Sequence, residues 1–308
     1  MTELFTALGI DIGGTKLAAG VVSFPEGRIC AQRMIPTEPT RGGEAVLNDV
    51  VRLTEDLAAK AKEAGQKVEG VGLGLCELVD LTGRILSANC VRWQDRPVVE
   101  RLSRVAPAVI EADVRAAALA EALFGAGRSF RIFLYVTVGT GISSCLMLDG
   151  KPFVGARGAT GTMASSLMNG TCENCGHVSR LTLEEIASGP GLVARFNQRR
   201  PGVVTSGLDV MGAAAAGDAD ALDVLRSAGE ALGSTVGLLI NVLDPEAVIV
   251  GGGLGLSEGP HWESFIASTR RHIWSEIHRD VPLLRAATGQ AAGIIGAASV
   301  VWKKKEML

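Results

Sequence analysis

The stretch LGIDIGGTKLAAGVV, Leu8 to Val22, decides the fold of this chain. Its pattern predicts an apolar strand that ends at Asp11, a glycine turn, and a second apolar strand that returns alongside the first. A turn without bulky side chains exposes backbone N–H groups that can approach a phosphate closely. The carboxylate of Asp11, at the strand end, can hold Mg²⁺ through water. The predicted phosphate-binding turn consists of Gly13, Gly14, Thr15 and Lys16, of which Lys16 is either a phosphate ligand or a solvent-facing lysine of the returning strand.

The same pattern returns in LYVTVGTGISSCLML, Leu134 to Leu148, and a third glycine turn follows the apolar strand AVIV. Two such strand–turn–strand units, too far apart for a solenoid repeat, indicate a duplicated domain with two similar lobes facing one ligand. We expect the third turn to present a flat surface to the ribose and base of a nucleotide. The candidate nucleotide-binding residues here are Thr137, Gly139, Thr140, Gly141, Gly252 and Gly253.

Taken singly, a glycine-rich turn is more often an ordinary hairpin than a phosphate-binding turn. The chain contains no GxxxxGK[ST] sequence, which excludes a P-loop. Gly72-Leu-Gly74 does not continue into a complete GxGxxG, which argues against a dinucleotide site. Three glycine turns in this order are a stronger indication of a nucleotide site than any one of them.

Composition describes a soluble globular protein of 308 residues, with 47% hydrophobic and 20% charged residues and a net charge of -3. This balance gives no electrostatic reason to bind nucleic acid or an anionic membrane surface. No apolar segment approaches the roughly 20 residues of a membrane helix, and we expect no targeting segment. Six widely spread cysteines favour reduced thiols in a cytoplasmic protein.

Strand-like and helix-like segments alternate along the chain, which favours an α/β architecture. Asp113 lies where the strand pattern PAVIEAD meets the helix pattern VRAAALAEALFGAG. At that junction a carboxylate can serve as a general base in a site at the strand end, or it can merely cap the helix. The histidines of the polar helical stretch further on, His261, His272 and His278, are expected at the surface.

Four segments together resemble the ROK family of sugar kinases and repressors: DIGGTK at Asp11, VTVGTGI at Val136, IVGGG at Ile249 and the tail GIIGAA. The resemblance implies a two-lobed actin-like (ribonuclease-H-like) ATPase fold, with ATP, Mg²⁺ and a sugar in the cleft between the lobes. Residues 1–113 and the helix at about 293–308 would form the first lobe, and residues 114–292 the second. Members of this family often form dimers, so a homodimer is expected.

The resemblance also implies that Asp113 is the catalytic base, although this chain departs from the family around it. The family reads E-N-D-A-N where this chain has Glu111-Ala112-Asp113-Val114-Arg115. In the segment that the family writes G-I-P-G, Cys76 and Glu77 replace Pro-Gly. Glu77 can pair an ammonium group of the acceptor, or it can be an exposed loop carboxylate.

The residues that would read the hydroxyls of the sugar are partly altered. Asn89 is retained ahead of Trp93, and Glu184 retains a glutamate that contacts sugar in the family. Thr162 replaces another such glutamate, and Ser165 replaces a histidine. Because unmatched buried polar groups are costly, these losses predict an acceptor other than plain glucose, such as an aminosugar or a cyclitol. A sensor that has lost catalysis is the alternative, and the short segment before Asp11 disfavours a DNA-binding repressor.

TCENCGH, Thr171 to His177, looks at first like half of a zinc site. The resemblance implies a site of one histidine and three cysteines, and Ser165 and Thr182 stand where two of these ligands belong. A closed structural zinc site needs four ligands. Cys172 and Cys175 are therefore interpreted as the remnant of a lost site, and no bound metal other than Mg²⁺ is expected. The alternative is a zinc site completed by His177 and by a ligand from elsewhere in the chain.

Overall fold

The computed structural model describes residues 4–171 and 178–306. Its first sheet comprises β1 (Phe5–Ile12), β2 (Lys16–Phe24), β3 (Arg28–Pro36), β4 (Gly70–Leu75) and β5 (Ala108–Ala112). The strand order is β3-β2-β1-β4-β5. The first three strands form an antiparallel meander, and β4 and β5 are added in parallel to β1. Both faces of β1, β2 and β4 are buried, which explains their nearly continuous apolar sequences.

The remaining strands are β6 (Ile132–Val138), β7 (Ile142–Leu148), β8 (Lys151–Pro152), β9 (Leu167–Thr171), β10 (Val178–Thr182), β11 (Ala247–Gly251) and β12 (Leu283–Arg285). The second large sheet has the order β12-β11-β6-β7-β8, and β9 pairs with β10 separately. Taken from its other edge, this sheet begins with three strands that are consecutive in sequence, β8, β7 and β6. Strands β11 and β12 are then added in parallel to β6, as β4 and β5 are added to β1 in the first sheet. The predicted duplication is therefore present in the topology.

The helices are α1 (Gly43–Glu63), α2 (Val98–Leu102), α3 (Asp113–Phe124), α4 (Leu183–Ala187), α5 (Gly189–Arg199), α6 (Gly207–Ala215), α7 (Ala219–Leu243), α8 (Pro260–His272) and α9 (Ala292–Glu306). Together with the two sheets they confirm the predicted α/β class. Within the described residues, no helix is both long and apolar enough to cross a membrane.

The chain divides into two compact units. The first contains residues 1–131, 145–160 and 287–308, and the second contains residues 132–144 and 161–286. In the first unit, apolar side chains of the β1–β4 sheet and of α1, including Ile10 and Val50, form the main core. In the second unit the corresponding core includes Val136, Leu225 and Phe265.

Helix α9 packs against the first sheet at a distance that only glycine allows. A Cβ atom on Gly9 would lie 1.9 Å from the carbonyl oxygen of Ile294, and one on Gly72 would lie 1.8 Å from that of Ala297. On the helix side, a Cβ on Gly296 would lie 1.9 Å from a carbonyl oxygen of α3. These glycines let the helix rest directly on β1, β4 and α3, which sets where its first turn lies.

The prediction that all three C-terminal histidines lie at the surface is wrong for His261. This side chain is 2% exposed, because it begins the buried face of α8 that also carries Phe265. Helix α8 packs closely on α7, where a Cβ on Gly229 would lie 2.2 Å from the carbonyl oxygen of His261. Burial lowers the pKa of His261 to about 4, so its imidazole is neutral.

Candidate active site

The turn between β1 and β2 is closed by its own backbone. The amide of Gly13 donates to the carbonyl of Lys16 at 3.0 Å, which makes a tight hairpin around Gly14 and Thr15. Thr37, just after β3, fastens the turn: its hydroxyl donates to the carbonyl of Gly13 at 2.7 Å, and its amide to that of Thr15 at 3.1 Å. The side chain of Lys16 is exposed. The Gly13 amide is thus engaged within the turn.

Asp11 lies near the end of β1, opposite Gly74 of the parallel strand β4. Burial raises the pKa of its carboxyl to about 6, although the positive charge of Lys16 lowers it. The first turn of α9 approaches this carboxyl so closely that a Cβ on Gly293 would lie 2.3 Å from its carbon. Gly293 therefore makes the space that Asp11 occupies.

Asp113 is the first residue of α3, and the N-cap position belongs to Ala112. Its carboxylate accepts a hydrogen bond at 2.6 Å from the amide of the next residue, Val114. Burial raises the pKa of Asp113 to about 7, and the negative charges of Asp11 and Glu77 act in the same direction. Asp113 is not the N-cap residue, although its carboxylate does satisfy one amide of the first helical turn. A carboxyl whose pKa lies near neutrality also suits a general base.

Glu77 is neither an exposed loop carboxylate nor free to pair an ammonium group, because its side chain is only 5% exposed and both of its oxygens are engaged. One oxygen accepts from the hydroxyl of Ser87 and from the amide of Asn89 at 2.9 Å. The other accepts from the amides of Cys90 and Val91 at 2.6 and 3.0 Å. The exposed-carboxylate interpretation is therefore wrong, and the contacts leave little capacity for a substrate cation.

Asn89 and Trp93, which the sequence grouped together, have different environments. The side chain of Asn89 is exposed, while its backbone is held by Glu77. Trp93 is fully buried, and its indole N–H donates to the carbonyl of Gly43 at 2.7 Å. Trp93 thus anchors this segment to α1, and Asn89 is the residue of the two that can reach a ligand.

Arg115 replaces the family's second asparagine with a buried cation that connects three segments. Its guanidinium pairs with Glu111 one turn earlier, donating from Nε at 2.6 Å. It also donates to the carbonyls of Val79 and Gly158, at 2.7 and 2.9 Å. A buried ion pair whose cation also donates to two carbonyls holds its neighbours in one arrangement. The sequence offered no signal for this role beyond the altered motif itself.

In the second unit, two of the predicted glycine turns lie side by side. Thr137, near the end of β6, is opposite Gly251 at the end of the parallel strand β11. A Cβ on Gly139 would lie 3.8 Å from the amide nitrogen of Gly253, and Gly252 has a φ of +82°. Neighbouring parallel strands end at the same edge of a sheet, which is where such sheets bind ligands. The two turns thus form one surface of backbone amides, with Gly141 and the exposed Thr140 beside them.

The start of helix α5 joins this surface, which the sequence did not predict. Its first residue, Gly189, donates its amide to the carbonyl of Gly139 at 2.8 Å. The buried hydroxyl of Ser188 caps the helix by accepting from the amide of Gly191 at 3.1 Å. A helix N-terminus favours anions, so α5 adds to the positive potential at the glycine turn.

Glu184, from α4, also lies against the β6–β7 turn. Its carboxylate accepts the amide of Ile142 at 2.9 Å, and a Cβ on Gly141 would lie 2.9 Å from the same oxygen. Thr162 and Ser165 lie on a short 3₁₀ segment that is tied to the start of α4, because Leu183 donates its amide to the carbonyl of Ser166 at 2.9 Å. The second unit therefore holds these three candidate acceptor residues on adjoining segments.

Thr182, at a position where the family has a zinc-binding cysteine, serves here as a helix cap. Its hydroxyl accepts from the amide of Glu185 at 3.3 Å, and the Glu185 carboxylate accepts from the amide of Thr182 at 2.8 Å, a capping box for α4. Cys172, Cys175 and His177 lie outside the described residues. Among residues 4–171 and 178–306, no three His, Cys, Asp or Glu side chains are grouped so that they could hold a metal ion.

Comparison with known proteins finds one family across almost the whole chain. The model of the ROK family matches residues 7–304. A glucokinase of Streptomyces coelicolor is 29% identical over 95% of this chain and 96% of its own length. An N-acetylmannosamine kinase of Salmonella heidelberg is 28% identical over 95% of this chain and 97% of its own length.

A solved structure agrees with these relatives. The crystal structure of a ROK family glucokinase from Streptomyces griseus, in complex with glucose and AMPPNP, matches with a TM-score of 0.82 and 30% sequence identity. The match covers 96% of this chain and 98% of the glucokinase. The similarity therefore extends over both units and is not confined to the glycine turns.

Proposed function

The chain belongs to the ROK family, and we propose that it is an ATP-dependent kinase. It transfers the γ-phosphoryl group of ATP to the primary hydroxyl of a sugar or to a ring hydroxyl of a cyclitol. The observation that carries this proposal is the carboxyl of Asp113, whose pKa burial raises to about 7 at the junction of β5 and α3. A base of this strength is half ionised near neutral pH and can accept a hydroxyl proton during transfer.

Proton transfer in this proposal involves residues of the first unit. Asp113 takes the proton of the acceptor's hydroxyl group while the oxygen of that hydroxyl forms the new bond to the γ-phosphorus. ADP departs with the electrons of the broken P–O bond. Asp11 and Glu77 keep Asp113 basic by their negative charges, while Arg115 opposes them. Asn89 would orient the acceptor hydroxyls from its exposed position.

The triphosphate is bound, in this proposal, by backbone amides rather than by a cluster of cations. Thr140, Gly141, Gly252 and Gly253 provide the amide surface in the second unit. The dipole of α5 adds positive potential there, while the Gly139 amide and the first amides of α5 are engaged within the protein. Gly14, Thr15 and Lys16 serve the same purpose in the first unit. Asp11 fits Mg²⁺, because its carboxylate offers the hard oxygen ligands that this ion prefers and lies near the end of β1, beside the glycine turn. The metal ion would neutralise charge that develops on the phosphates.

The acceptor is, in this proposal, a derivatised sugar rather than plain glucose. Thr162 and Ser165 carry neither the carboxylate nor the imidazole that the family uses at these positions, while Glu184 remains. Because the oxygens of Glu77 are engaged with the protein, a free ammonium group has no partner there. This favours an N-acylated aminosugar or a cyclitol, and one relative is an N-acetylmannosamine kinase.

The test is release of ADP from ATP and Mg²⁺ with single acceptors: glucose, mannose, glucosamine, N-acetylmannosamine and inositol. We expect ADP release that depends on the acceptor and is at least tenfold faster with N-acetylmannosamine or inositol than with glucose, since unmatched hydroxyl contacts cost about that much. Strong activity on glucose alone would disprove the altered acceptor. No activity with any acceptor would disprove the kinase and favour a sugar sensor.

We also propose that two copies associate through an exposed apolar patch of the second unit. The patch comprises Leu238 and Val242 of α7 with Trp274 and Ile277, of which Trp274 is 87% and Ile277 83% exposed. The side chain of Asn241 ties the two segments together by accepting from the amide of Trp274 and donating to the carbonyl of His272, both at 2.9 Å. Contiguous apolar surface of this kind commonly marks a protein interface.

Light scattering on size-exclusion chromatography tests the homodimer. Trp274→Glu should shift the wild-type dimer to monomer, whereas Leu208→Glu, at an exposed leucine of α6 in the same unit, should leave it unchanged. A monomeric wild type would disprove the proposal. The absence of a nucleic-acid partner and the cytoplasmic location remain predictions from the sequence.

A further inference from the structure

We infer that Glu77 is a positioning residue for the acceptor: its carboxylate holds the backbone of residues 87–91, and so sets where Asn89 meets the substrate. The inference deepens the proposed kinase function and rests on it for the role of Asn89. Where the ROK pattern has a glycine, which cannot make such contacts, this chain has a buried carboxylate. The restraint is thus specific to the altered acceptor pocket of this protein.

The segment between Glu77 and Ser87 forms a closed loop that returns to its starting point. Leu86 donates its amide to the carbonyl of Leu78 at 2.7 Å, and Val79 and Ile85 form an antiparallel bridge. The amide of Leu78 then donates to the hydroxyl of Ser87 at 2.8 Å, and that hydroxyl donates to Glu77. Ser87 therefore connects the base of the loop to the carboxylate that holds the residues after it.

Three consecutive amides, those of Asn89, Cys90 and Val91, converge on the carboxylate of Glu77. Consecutive N–H groups point to one spot only when the backbone curves around it, so the anion defines the curve. Without it, several largely buried donors would lose their partners, which costs far more than one exposed hydrogen bond. The backbone conformation at residue 89 therefore depends on a residue twelve positions earlier in the chain.

The restraint acts locally, because the far end of the segment has its own anchor. Trp93 is buried and bonded to the carbonyl of Gly43, independently of Glu77. A Cβ on Gly43 would lie 2.5 Å from the carbonyl oxygen of Val91, so α1 also limits that end. Loss of the carboxylate should therefore release residues 87–90 while the core around Trp93 stays folded.

The substitution Glu77→Gln keeps the size of the side chain, but only one of the two terminal atoms can still accept hydrogen bonds. One face of the amide group would carry N–H donors, and these would oppose either the amides of Cys90 and Val91 or the donors from Ser87 and Asn89. Ser87→Ala is the milder second variant, since it keeps the carboxylate and removes only one of its donors, together with the acceptor of the Leu78 amide. Glu100→Gln is the matched control, because Glu100 is 74% exposed and its nearest cation, Arg104, is 3.9 Å away.

The experiment measures hydrogen exchange of amides 89–91, affinity for N-acetylmannosamine and glucose by calorimetry, and kinetic constants. In Glu77→Gln we expect exchange at amides 89–91 to accelerate at least tenfold and the acceptor Kd and KM to rise by about 10–100-fold. kcat measured at pH 8.5, where Asp113 is ionised with or without the charge of Glu77, should fall less than about threefold, and the Kd of an ATP analogue should be unchanged. Ser87→Ala should show the same pattern at about two- to fivefold, and Glu100→Gln should match the wild type.

The pattern of constants separates positioning from general damage. Equal losses in acceptor and nucleotide affinity, or unchanged exchange at amides 89–91, would overturn the inference, as would faster exchange with an unchanged acceptor KM. If Glu77→Gln does not fold, Ser87→Ala decides by the same measurements. A wild type that binds and phosphorylates no acceptor would overturn the proposed function and the acceptor role of Asn89 with it, and that failure is recognised without any variant.

Discussion

The glycine turns after β1 and β6 share a sequence pattern and a place in their sheets, yet they differ in the chemistry around them. In the first unit Asp11 precedes the turn, and the Gly13 amide closes a hairpin to Lys16. In the second unit Thr137 occupies the equivalent position, and the Gly139 amide closes a turn one residue shorter, to Gly141. The strand before the turn thus supplies a carboxylate in one unit and a hydroxyl in the other.

The neighbours of the two turns extend this difference. The charges of Asp11 and Glu77 act on Asp113 in the first unit, so that region is suited to proton transfer and metal binding. Around Gly139 the second unit provides backbone amides and the start of α5, with φ of +82° at Gly252. Duplication has therefore produced two similar frames. In the first, carboxylates surround the candidate base, and in the second, where the carboxylate of Glu184 accepts the amide of Ile142, amide donors predominate.

The largest expected effect is that of Asp113→Asn, which tests the first unit's role in proton transfer. kcat should fall by about 10²–10⁴-fold, because the amide cannot accept the hydroxyl proton, while the Kd for ATP stays within twofold. Steady-state kinetics and calorimetry measure these constants. Asp149→Asn is the control, because the side chain of Asp149 is 68% exposed and pairs with Arg131. Full turnover in Asp113→Asn would contradict the division of roles.

An intermediate effect is expected from Gly252→Ala, which tests the amide surface of the second unit. The new Cβ would lie 2.4 Å from the carbonyl oxygen of Val138, at a φ that alanine avoids. The KM for ATP should rise by about 10–100-fold, with a smaller change in the acceptor KM. Gly212→Ala, in helix α6 where a Cβ meets nothing within 4 Å, should leave both constants unchanged. A larger effect on the acceptor than on ATP would contradict this assignment.

The smallest expected effect is the change of kcat/KM with pH, which should come from the carboxylates of the first unit. With the pKa of Asp113 raised to about 7, kcat/KM should rise with pH and level off above neutrality, being about tenfold lower at pH 6 than on the plateau. Initial rates over pH 5.5–9 with saturating ATP measure this profile. An activity that is independent of pH below 7 would show that another group is the base.

The same pKa determines the sign of a change in stability. Asp113 has a pKa near 3.8 when unfolded and about 7 when folded, so its protonated form contributes stability that is present below pH 3.8 and lost as the pH rises through 7. Melting temperatures without ligand should therefore show Asp113→Asn to be more stable than the wild type at pH 8. Their difference should shrink towards pH 5.

Local patterns in the sequence predicted the fold and much of the candidate site. The apolar strands and glycine turns identified β1, β6 and β11, and the strand–helix junction identified Asp113. These features depend on short-range rules, namely alternation or continuity of apolar residues and the need for glycine at a turn. The ROK family resemblance rested on the same segments, and the match over residues 7–304 confirms it.

Only the tertiary structure revealed the environment of several side chains. Glu77 follows a strand and looks like a loop residue, but its hydrogen-bond donors lie ten to fourteen positions away, at residues 87–91. Gly293 makes room for Asp11 from the other end of the chain, and Thr37 locks a turn that ended more than twenty positions earlier. His261 was expected at the surface because the helical stretch that follows it is rich in polar residues, yet its face of α8 is buried against α7.

Sequence by itself determined which segments become strands, helices and tight turns, and hence the two related sheets and the family. The state of the carboxylates was decided by the tertiary structure, because desolvation and hydrogen bonding depend on groups brought together from distant parts of the chain. Asp113 became a group that titrates near pH 7, and Glu77 became a buried support for Asn89. In both cases the residue type was visible in the sequence, and its surroundings decided its chemistry.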